Sequence, residues 1–566
     1  MLRELGGTFR FRPGGFGRAA LMIGVITIAA RLVGFGRQVV FAHSVGATCL
    51  GTAYTTANMA PNIIYDIVLG GALSALVVPV LAGPASAGLA GDLASAVRAR
   101  QIASALLTWT VLLLVPVSAI VVLVAHPLVA ALLGDAAGCS RTAMTATGGR
   151  MLIVFAPQVV LYGVAVVLYG ILQAHRKFGG PAVAPLLSSL VVVAAYLGFG
   201  AVAGAYVNRP GSLPAFGEYL LSGGTTLGVL AMVAAAAVPA WRLRLRLRPS
   251  LRFPPGVAPR VRRLAVAGVF TLLAQDASTA VVIVLANRYG DTGTLVLYGF
   301  AWAVFVVPYA VLAIPIATSA FPELSARSQA DPDARPVSPA ARTLDFDASA
   351  DGGFAATSAA STRAVLLASW LGAAALIGAR SPLARVFEDA SAPAAALAVS
   401  LAAFAPGLIG YGLSANLSRV LYAYGRNRAP ALAVSLGWVL VTVADAAVVP
   451  FVPRAWVVPA LGAGTSFGLS AAGAVLLLLV RRVRGPVALA GVARAFRAGL
   501  IGCVAAVAAG WGASWLMTGG GFLTNVGISF LVCTVITMVF GAVVWNAGGG
   551  DLRAAATRLR GRVPAA

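Results

Sequence analysis

The sequence predicts an all-α protein that crosses a membrane many times. Three observations carry this. Of 566 residues, 60% are hydrophobic and only 10% are charged, and the mean hydropathy is +0.91. Apolar runs of about 20 residues, long enough to span a bilayer core, recur along the whole chain. Short arginine-bearing loops separate them. In lipid only helices and closed barrels satisfy every backbone polar group, and runs this continuous are helical.

Fourteen spans can be drawn, at 19–45, 51–82, 101–125, 150–174, 181–206, 218–241, 264–287, 293–322, 362–382, 393–424, 429–451, 456–480, 493–517 and 522–547. The basic N-terminus resembles a signal peptide. The first run is too long for one and no small-residue cleavage site follows, so span 1 is read as retained. Lys and Arg in short loops set the orientation. They crowd the N-terminus (Arg3, Arg10, Arg12, Arg18) and the loops after spans 2 (Arg98, Arg100), 4 (Arg176, Lys177), 10 (Arg426, Arg428) and 12 (Arg481, Arg482, Arg484). The loop after span 6 is densest, running from Arg242 to Arg263, and the tail holds Arg553 to Arg562. The alternate loops are nearly free of cations, so both termini are expected in the cytoplasm.

Two lobes follow from an internal repeat. Ala42, Gly46, Tyr54 and Pro79 recur as Ala286, Gly290, Tyr298 and Pro322, offset by 243 or 244 residues. The expected organisation is a cytoplasmic segment 1–18, an N-lobe 19–245 (spans 1–6), a C-lobe 260–485 (spans 7–12), spans 13 and 14 within 486–550, and a cytoplasmic tail 551–566. The stretch 325–360, rich in Pro, Ala, Ser and Asp, is expected to be a disordered cytoplasmic loop. Parallel repeats of this kind place a substrate site between the lobes.

Composition narrows the function. The net charge of +24 sits in loops between apolar runs, which argues against nucleic acid. Lys177 is the single lysine, and near-exclusive arginine with abundant Ala and Gly suggests a GC-rich bacterial genome. Cys49, Cys139, Cys503 and Cys533 have no metal-ligand spacing, and His43, His126 and His175 are scattered. No hydrolase, kinase or P-loop motif is present, so a transporter is favoured over an enzyme, and no ATP drives it.

The residues that carry chemistry are polar groups inside the spans. Arg31 and Arg37 stand in span 1, where an arginine costs roughly 2.5–3.5 kcal/mol at the bilayer centre. Six positions separate them, about 9 Å along a helix and about 120° around it. They either line a broad cavity at two depths or pair with Asp66 of span 2. A guanidinium binds phosphate bidentately and keeps its charge, so the first reading suggests an anionic substrate, with Asn62, Tyr65 and Asp66 lining the same cavity. Gly34 and Gly36 would allow close packing or bending. Pro61, Gly70 and Gly71 interrupt span 2, as a static kink or as a hinge, and Asn62 could bond the backbone groups that Pro61 frees. Asp276, Asp445 and Thr465 are candidate sodium or proton ligands, or are bonded to neighbouring helices, and Arg419 could partner either acid. Cys49 and Cys139 fall near outward-facing loops, where a disulfide could persist.

These motifs resemble the MurJ (MviN) family of lipid II flippases, within the superfamily of multidrug, oligosaccharidyl-lipid and polysaccharide exporters. The resemblance rests on the fourteen spans, on R-x-x-G-x-x-R at Arg31, Gly34 and Arg37, on "VGATCLGTAYTTANMAPNI" (45–63), on "GGALSALVVPVL" (70–81) and on "IPIATSAFPELS" (314–325). It implies movement of undecaprenyl-pyrophosphate-linked peptidoglycan precursor across the bacterial cytoplasmic membrane by alternating access, with Arg31 and Arg37 on the pyrophosphate. Spans 13 and 14 would help form a groove for the lipid tail. Membrane lipids and cell-wall synthesis proteins would be partners; no cofactor is implied, and sodium, resembling the family site at Asp445 and Thr465, or a proton could couple to transport. Other family arginines are absent: Tyr65 or Asp66 stands at one such position and Ala303 near another. Thr52 and Gly70 replace family acids. The alternatives are an exporter of another lipid-linked glycan or drug, or a transport-silent scaffold for cell-wall enzymes.

Overall fold

A computed structural model of the chain describes residues 13–67, 77–134, 138–243, 245, 247–330, 348–388, 394–426, 428–517 and 519–548. Among these residues there are helices and no strand. The helices are α1 (Pro13–Ser44), α2 (Cys49–Asp66), α3 (Val77–Leu89), α4 (Leu93–Leu123), α5 (Ala125–Leu132), α6 (Arg141–Phe155), α7 (Pro157–Ala174), α8 (Gly179–Ala203) and α9 (Ala215–Arg242). Then come α10 (Val257–Tyr289), α11 (Thr294–Pro308), α12 (Ile314–Ala330), α13 (Ala348–Gly378), α14 (Arg380–Arg385), α15 (Ala394–Phe404), α16 (Gly407–Ala423), α17 (Arg428–Val448), α18 (Val457–Arg484), α19 (Val492–Leu516) and α20 (Phe522–Gly548). Ten helical stretches are long and apolar enough to cross a membrane, and α15 with α16 makes an eleventh despite a 44° bend between them. Fourteen spans were expected. Those at 19–45, 51–82 and 264–287 fall outside that count, although α1, α2 with α3, and α10 occupy them.

Local chemistry explains where helices start and break. Thr48 accepts a hydrogen bond from the Gly51 amide at 3.1 Å and starts α2. Asp92 and Ser140 do the same for α4 and α6, taking the amides of Ala94 and Ala143. Such caps satisfy amides that the helix itself leaves unpaired. Pro157 and Pro406 divide α6 from α7 and α15 from α16. Beyond Pro308 the chain widens into a π-turn at Tyr309–Ala313 before α12, a usual response to a disrupted hydrogen-bond ladder. Pro61 does not end α2, which runs through it. Gly70 and Gly71, and the centre of the 325–360 loop, lie outside the described residues.

The two lobes repeat one packing scheme. In the first, α8 packs on α1 and α9. In the second, α17 packs on α10 and α18 in the same way. The last helices, α19 and α20, pack on each other and on α13. An ion pair inside the first lobe joins Arg150 of α6 to the buried Glu218 of α9, N–O 2.7 Å. In the second lobe α16 and α18 approach closely enough that a Cβ on Gly410 would stand inside the backbone of Leu469 and Ser470. Neither backbone can yield as a side chain would. Gly410→Ala is expected to destabilise the protein by about 1–3 kcal/mol through overpacking, read as a lower midpoint of thermal unfolding in detergent. An unchanged midpoint would mean that the helices separate freely.

The loop after α9 carries more than charge. Its sequence "RLRLRLR" (242–248) alternates, and Leu243, Leu245 and Leu247 pack against the core formed by α3, α4 and α7. Ser104 and Thr108 of α4 accept hydrogen bonds from the amides of Arg248 and Ser250, and the Trp109 indole donates to the Leu251 carbonyl. The link between the lobes is thus an extended strap tied along α4.

Candidate functional site between the lobes

The lobes meet at the end that holds the arginine-poor loops. Phe41 of α1 touches Phe300 of α11, ring centroids 6.3 Å apart, and Phe35 stands edge-on to Phe387 at 5.6 Å. Polar contacts reinforce this apolar seal. The Gly293 amide donates to Thr52 Oγ1 at 2.9 Å. The Asn287 amide nitrogen donates to Thr56 Oγ1 and to the Leu132 carbonyl, both at 3.0 Å. Gly293 has φ +82°, and a side chain there would collide with Ala47 of the other lobe, so glycine is required twice over. Beside this seam Cys49 and Cys139 form a disulfide, Cα–Cα 5.8 Å, and Cys139 Sγ approaches Thr292 of the second lobe at 3.4 Å.

Polar groups of both lobes also come within electrostatic reach of one another. Arg31 is exposed and Arg37 half-buried. Among the described residues no carboxylate pairs with either, so the ion pair with Asp66 is not formed. Arg37 lies within electrostatic reach of the hydroxyls of Tyr54, Tyr162 and Tyr196. Tyr162 donates to Asn62 Oδ1 at 3.2 Å, so Asn62 serves α7 rather than the backbone groups freed at Pro61. The rings of Tyr65 and Tyr162 lie 4.2 Å apart. Asp66 is exposed and lies within reach of Asp276 and Tyr411 of the second lobe. Tyr411 stacks on Tyr309 at 3.9 Å, and Arg419 stands close to Tyr309. Arg419 donates to its own helix, at the Ala415 carbonyl, and pairs with neither Asp276 nor Asp445. Gly36 faces open space and Gly34 comes only to 4.0 Å of Ser189, measured from the Cβ it would carry. Neither supplies the close packing expected of it, and α1 is continuous through both.

The candidate cation residues divide into two places. Asp445 is 1% exposed, and neither carboxylate oxygen has a hydrogen-bond partner. Tyr298 lies close to it, with Thr465 nearby. Asp276 is also buried with one orphan oxygen, but its charged neighbour is Asp66. No described contact joins it to Asp445. Buried orphan oxygens call for a proton or a cation.

The first lobe holds a related triplet. Tyr54 hydrogen-bonds Tyr196 at 2.9 Å and Thr225 at 2.7 Å. Thr225 donates back to Leu221, as Thr465 does to Leu461, each at 2.8 Å. The helices correspond: α2, α8 and α9 in one lobe, α11, α17 and α18 in the other. The second lobe has an aspartate where the first has Tyr196, so it is the second lobe that buries a carboxyl group at this position.

Comparison with known proteins settles the family. The model of a family described as lipid II flippase MurJ matches residues 41–526. The chain belongs to that family. A probable lipid II flippase MurJ of Synechocystis is 28% identical over 242 residues, 41% of this chain and 42% of the relative. The aligned part thus spans less than half of that relative's length. A solved lipid II flippase MurJ in an inward closed conformation has TM-score 0.65 at 16% identity, covering 92% of this chain and 98% of that one. An inward-facing multidrug resistance MATE family transporter of the MOP superfamily has TM-score 0.61 at 14% identity, covering 82% and 98%. At these identities the structural likeness speaks for the fold.

Sequence reasoning missed Tyr162, Tyr309, Tyr411 and Asn287. Tyrosine inside an apolar span has no local signature. The repeat did single out Tyr54 and Tyr298, without revealing that Tyr54 bonds a threonine four spans later.

Proposed function

We propose that the chain flips the lipid-linked peptidoglycan precursor lipid II from the inner to the outer leaflet of the bacterial cytoplasmic membrane. Family membership over residues 41–526 supports the substrate. The single observation that carries the mechanism is the pair of arginines within the span of α1 that have no carboxylate partner among the described residues. Pyrophosphate suits two unpaired guanidinium groups as a bidentate anionic partner. The seam at Asn287, Thr52 and Gly293 closes one end, so the headgroup enters from the arginine-rich end. Positive-inside bias supports a cytoplasmic position for that end. The Cys49–Cys139 disulfide at the opposite end supports the same orientation, because disulfides persist in oxidising compartments. A negative-inside potential would favour outward movement of an anion by about 2.3 kcal/mol per charge per 100 mV.

The test is rescue. A bacterium depleted of its own lipid II flippase should grow when this chain is expressed, and its inner-leaflet lipid II should stop accumulating. Membrane expression without rescue in several hosts would refute the substrate.

Coupling would fall to Asp445, Thr465 and Tyr298, whose oxygens suit sodium or a proton. Asp445→Asn keeps the shape and removes the charge. Its flipping in proteoliposomes should lose dependence on the sodium or proton gradient and slow about tenfold, equivalent to about 1.4 kcal/mol. Gradient dependence that survives the change would remove Asp445 from the coupling site.

A further inference from the structure

An apolar groove lies on the outer wall of the first lobe. Helices α8 and α9 leave between them an apolar groove of about 520 Å³, within the about 300–1,000 Å³ of small-molecule sites. Gly179, Gly180, Val183 and Leu187 form one wall, Ala235 and Val238 the other. Gly180 closes its loop end, because a Cβ there would meet the Pro239 ring and the Ala235 carbonyl. The groove is separate from the substrate space: Ser189 and Gly200, on another face of α8, are the residues that meet α1.

Cations ring the mouth. Arg176 and Lys177 immediately precede α8, and Arg242 lies three residues past Pro239, about one helical turn further on. All three are exposed, and none has an ion-pair partner among the described residues. Arg176 has φ +58° and is the one described non-glycine residue with positive φ. It closes α7 with its own amide on the Gln173 carbonyl at 3.0 Å and the Lys177 amide on Leu172 at 2.8 Å. Glycine is the usual residue at such a helix end because it meets no Cβ penalty. Keeping an arginine there retains a charge at steric cost, and residues held in unfavoured conformations cluster at functional sites. Trp241, 85% exposed beside Arg242, marks headgroup depth, where tryptophan concentrates.

We propose that this groove holds an acyl chain of an anionic phospholipid of the surrounding membrane, with Arg176, Lys177 and Arg242 taking its phosphate. Basic pockets between membrane helices bind anionic headgroups, and the N-terminal amides of α8 open at the same mouth. Three uncompensated cations select against a zwitterionic lipid. The inference rests on the chain spanning a membrane and is independent of what it flips.

The test is lipid retention by the full-length protein in detergent, read by native mass spectrometry and by thermal unfolding. Wild type should retain phosphatidylglycerol at least tenfold better than phosphatidylcholine and unfold at higher temperature with it. Arg176→Gly should fold at least as well, since glycine suits that φ, yet lose about fivefold in preference. Adding Lys177→Ala and Arg242→Ala should abolish the preference. Ala235→Phe should fill the groove and expel the tightly held lipid. Equal retention of both lipids by wild type, or a preference that survives the triple change, would overturn the proposal. So would displacement of phosphatidylglycerol by undecaprenyl pyrophosphate, which would give the groove to the transport substrate.

Discussion

Arg37→Ala is expected to abolish rescue of a flippase-depleted bacterium while leaving the protein folded. The guanidinium is half-buried on a helix fixed against α8. Its neighbours are three tyrosine hydroxyls, and no described carboxylate neutralises it. Nothing inside the protein is therefore orphaned when the side chain is cut back, and thermal stability should hold or rise. The substrate, in contrast, loses charge-assisted hydrogen bonds of about 1.5–3 kcal/mol each. That is roughly 10–200-fold in affinity for the pyrophosphate. Arg37→Lys keeps the charge without the fork and should fall between the two. Arg31→Ala should cost less, because Arg31 is exposed and water already screens it. Flipping of lipid II at wild-type rate by well-expressed Arg37→Ala would end the arginine-clamp reading.

Much of the fold could be read along the chain, because lipid forces each span to satisfy its own backbone. What failed was local geometry. Pro61 and Pro406 look alike in sequence, yet α2 runs through Pro61 and the chain bends 44° at Pro406. The difference is tertiary. Ser466 of α18 reaches in beside Pro406, donating to the Ala403 carbonyl at 2.7 Å and accepting the Gly407 amide at 3.0 Å. A bend exposes those backbone groups, and α18 satisfies them. The strap after α9 was read for its arginines, although the alternation of leucine was visible in the same letters.

The site was legible in type and not in pairing. Arg31 and Arg37 announce themselves as charges within an apolar run. Whether they meet Asp66 depends on how α1 and α2 pack within the first lobe, which no spacing encodes. Asp276 and Asp445 announce themselves in the same way, but their neighbours assign them to different places. The repeat made Tyr54 and Tyr298 stand out. The threonine partner of Tyr54 is 171 residues away, and a contact at that distance leaves no periodicity to detect.

Asn287→Ala should shift the balance between the two ends of the transport cycle. In the structure Asn287 is buried, and its amide joins the lobes through Thr56 and the Leu132 carbonyl. At about 1 kcal/mol per hydrogen bond, truncation removes about 2 kcal/mol from the closed seam alone. An opened seam exposes the same groups to water, which satisfies them. The ratio of closed to open molecules should therefore fall about thirtyfold. Thr52→Val should act in the same direction by leaving the Gly293 amide without its acceptor. Spin labels at the exposed positions Ser212 and Ala455, one in each lobe, would report the change as a new population of longer distances. Cys503 and Cys533 would first be replaced. The disulfide would remain, since Cys49 and Cys139 both belong to the first lobe. An unaltered distance distribution would mean that the aromatic seal of Phe35, Phe41, Phe300 and Phe387 holds the seam without polar help. Transport then separates two roles for the latch. If opening limits turnover, Asn287→Ala flips faster at saturating substrate. If the closed seam is needed for the arginines of α1 to capture the headgroup, the same variant flips more slowly and needs more substrate to reach its maximal rate.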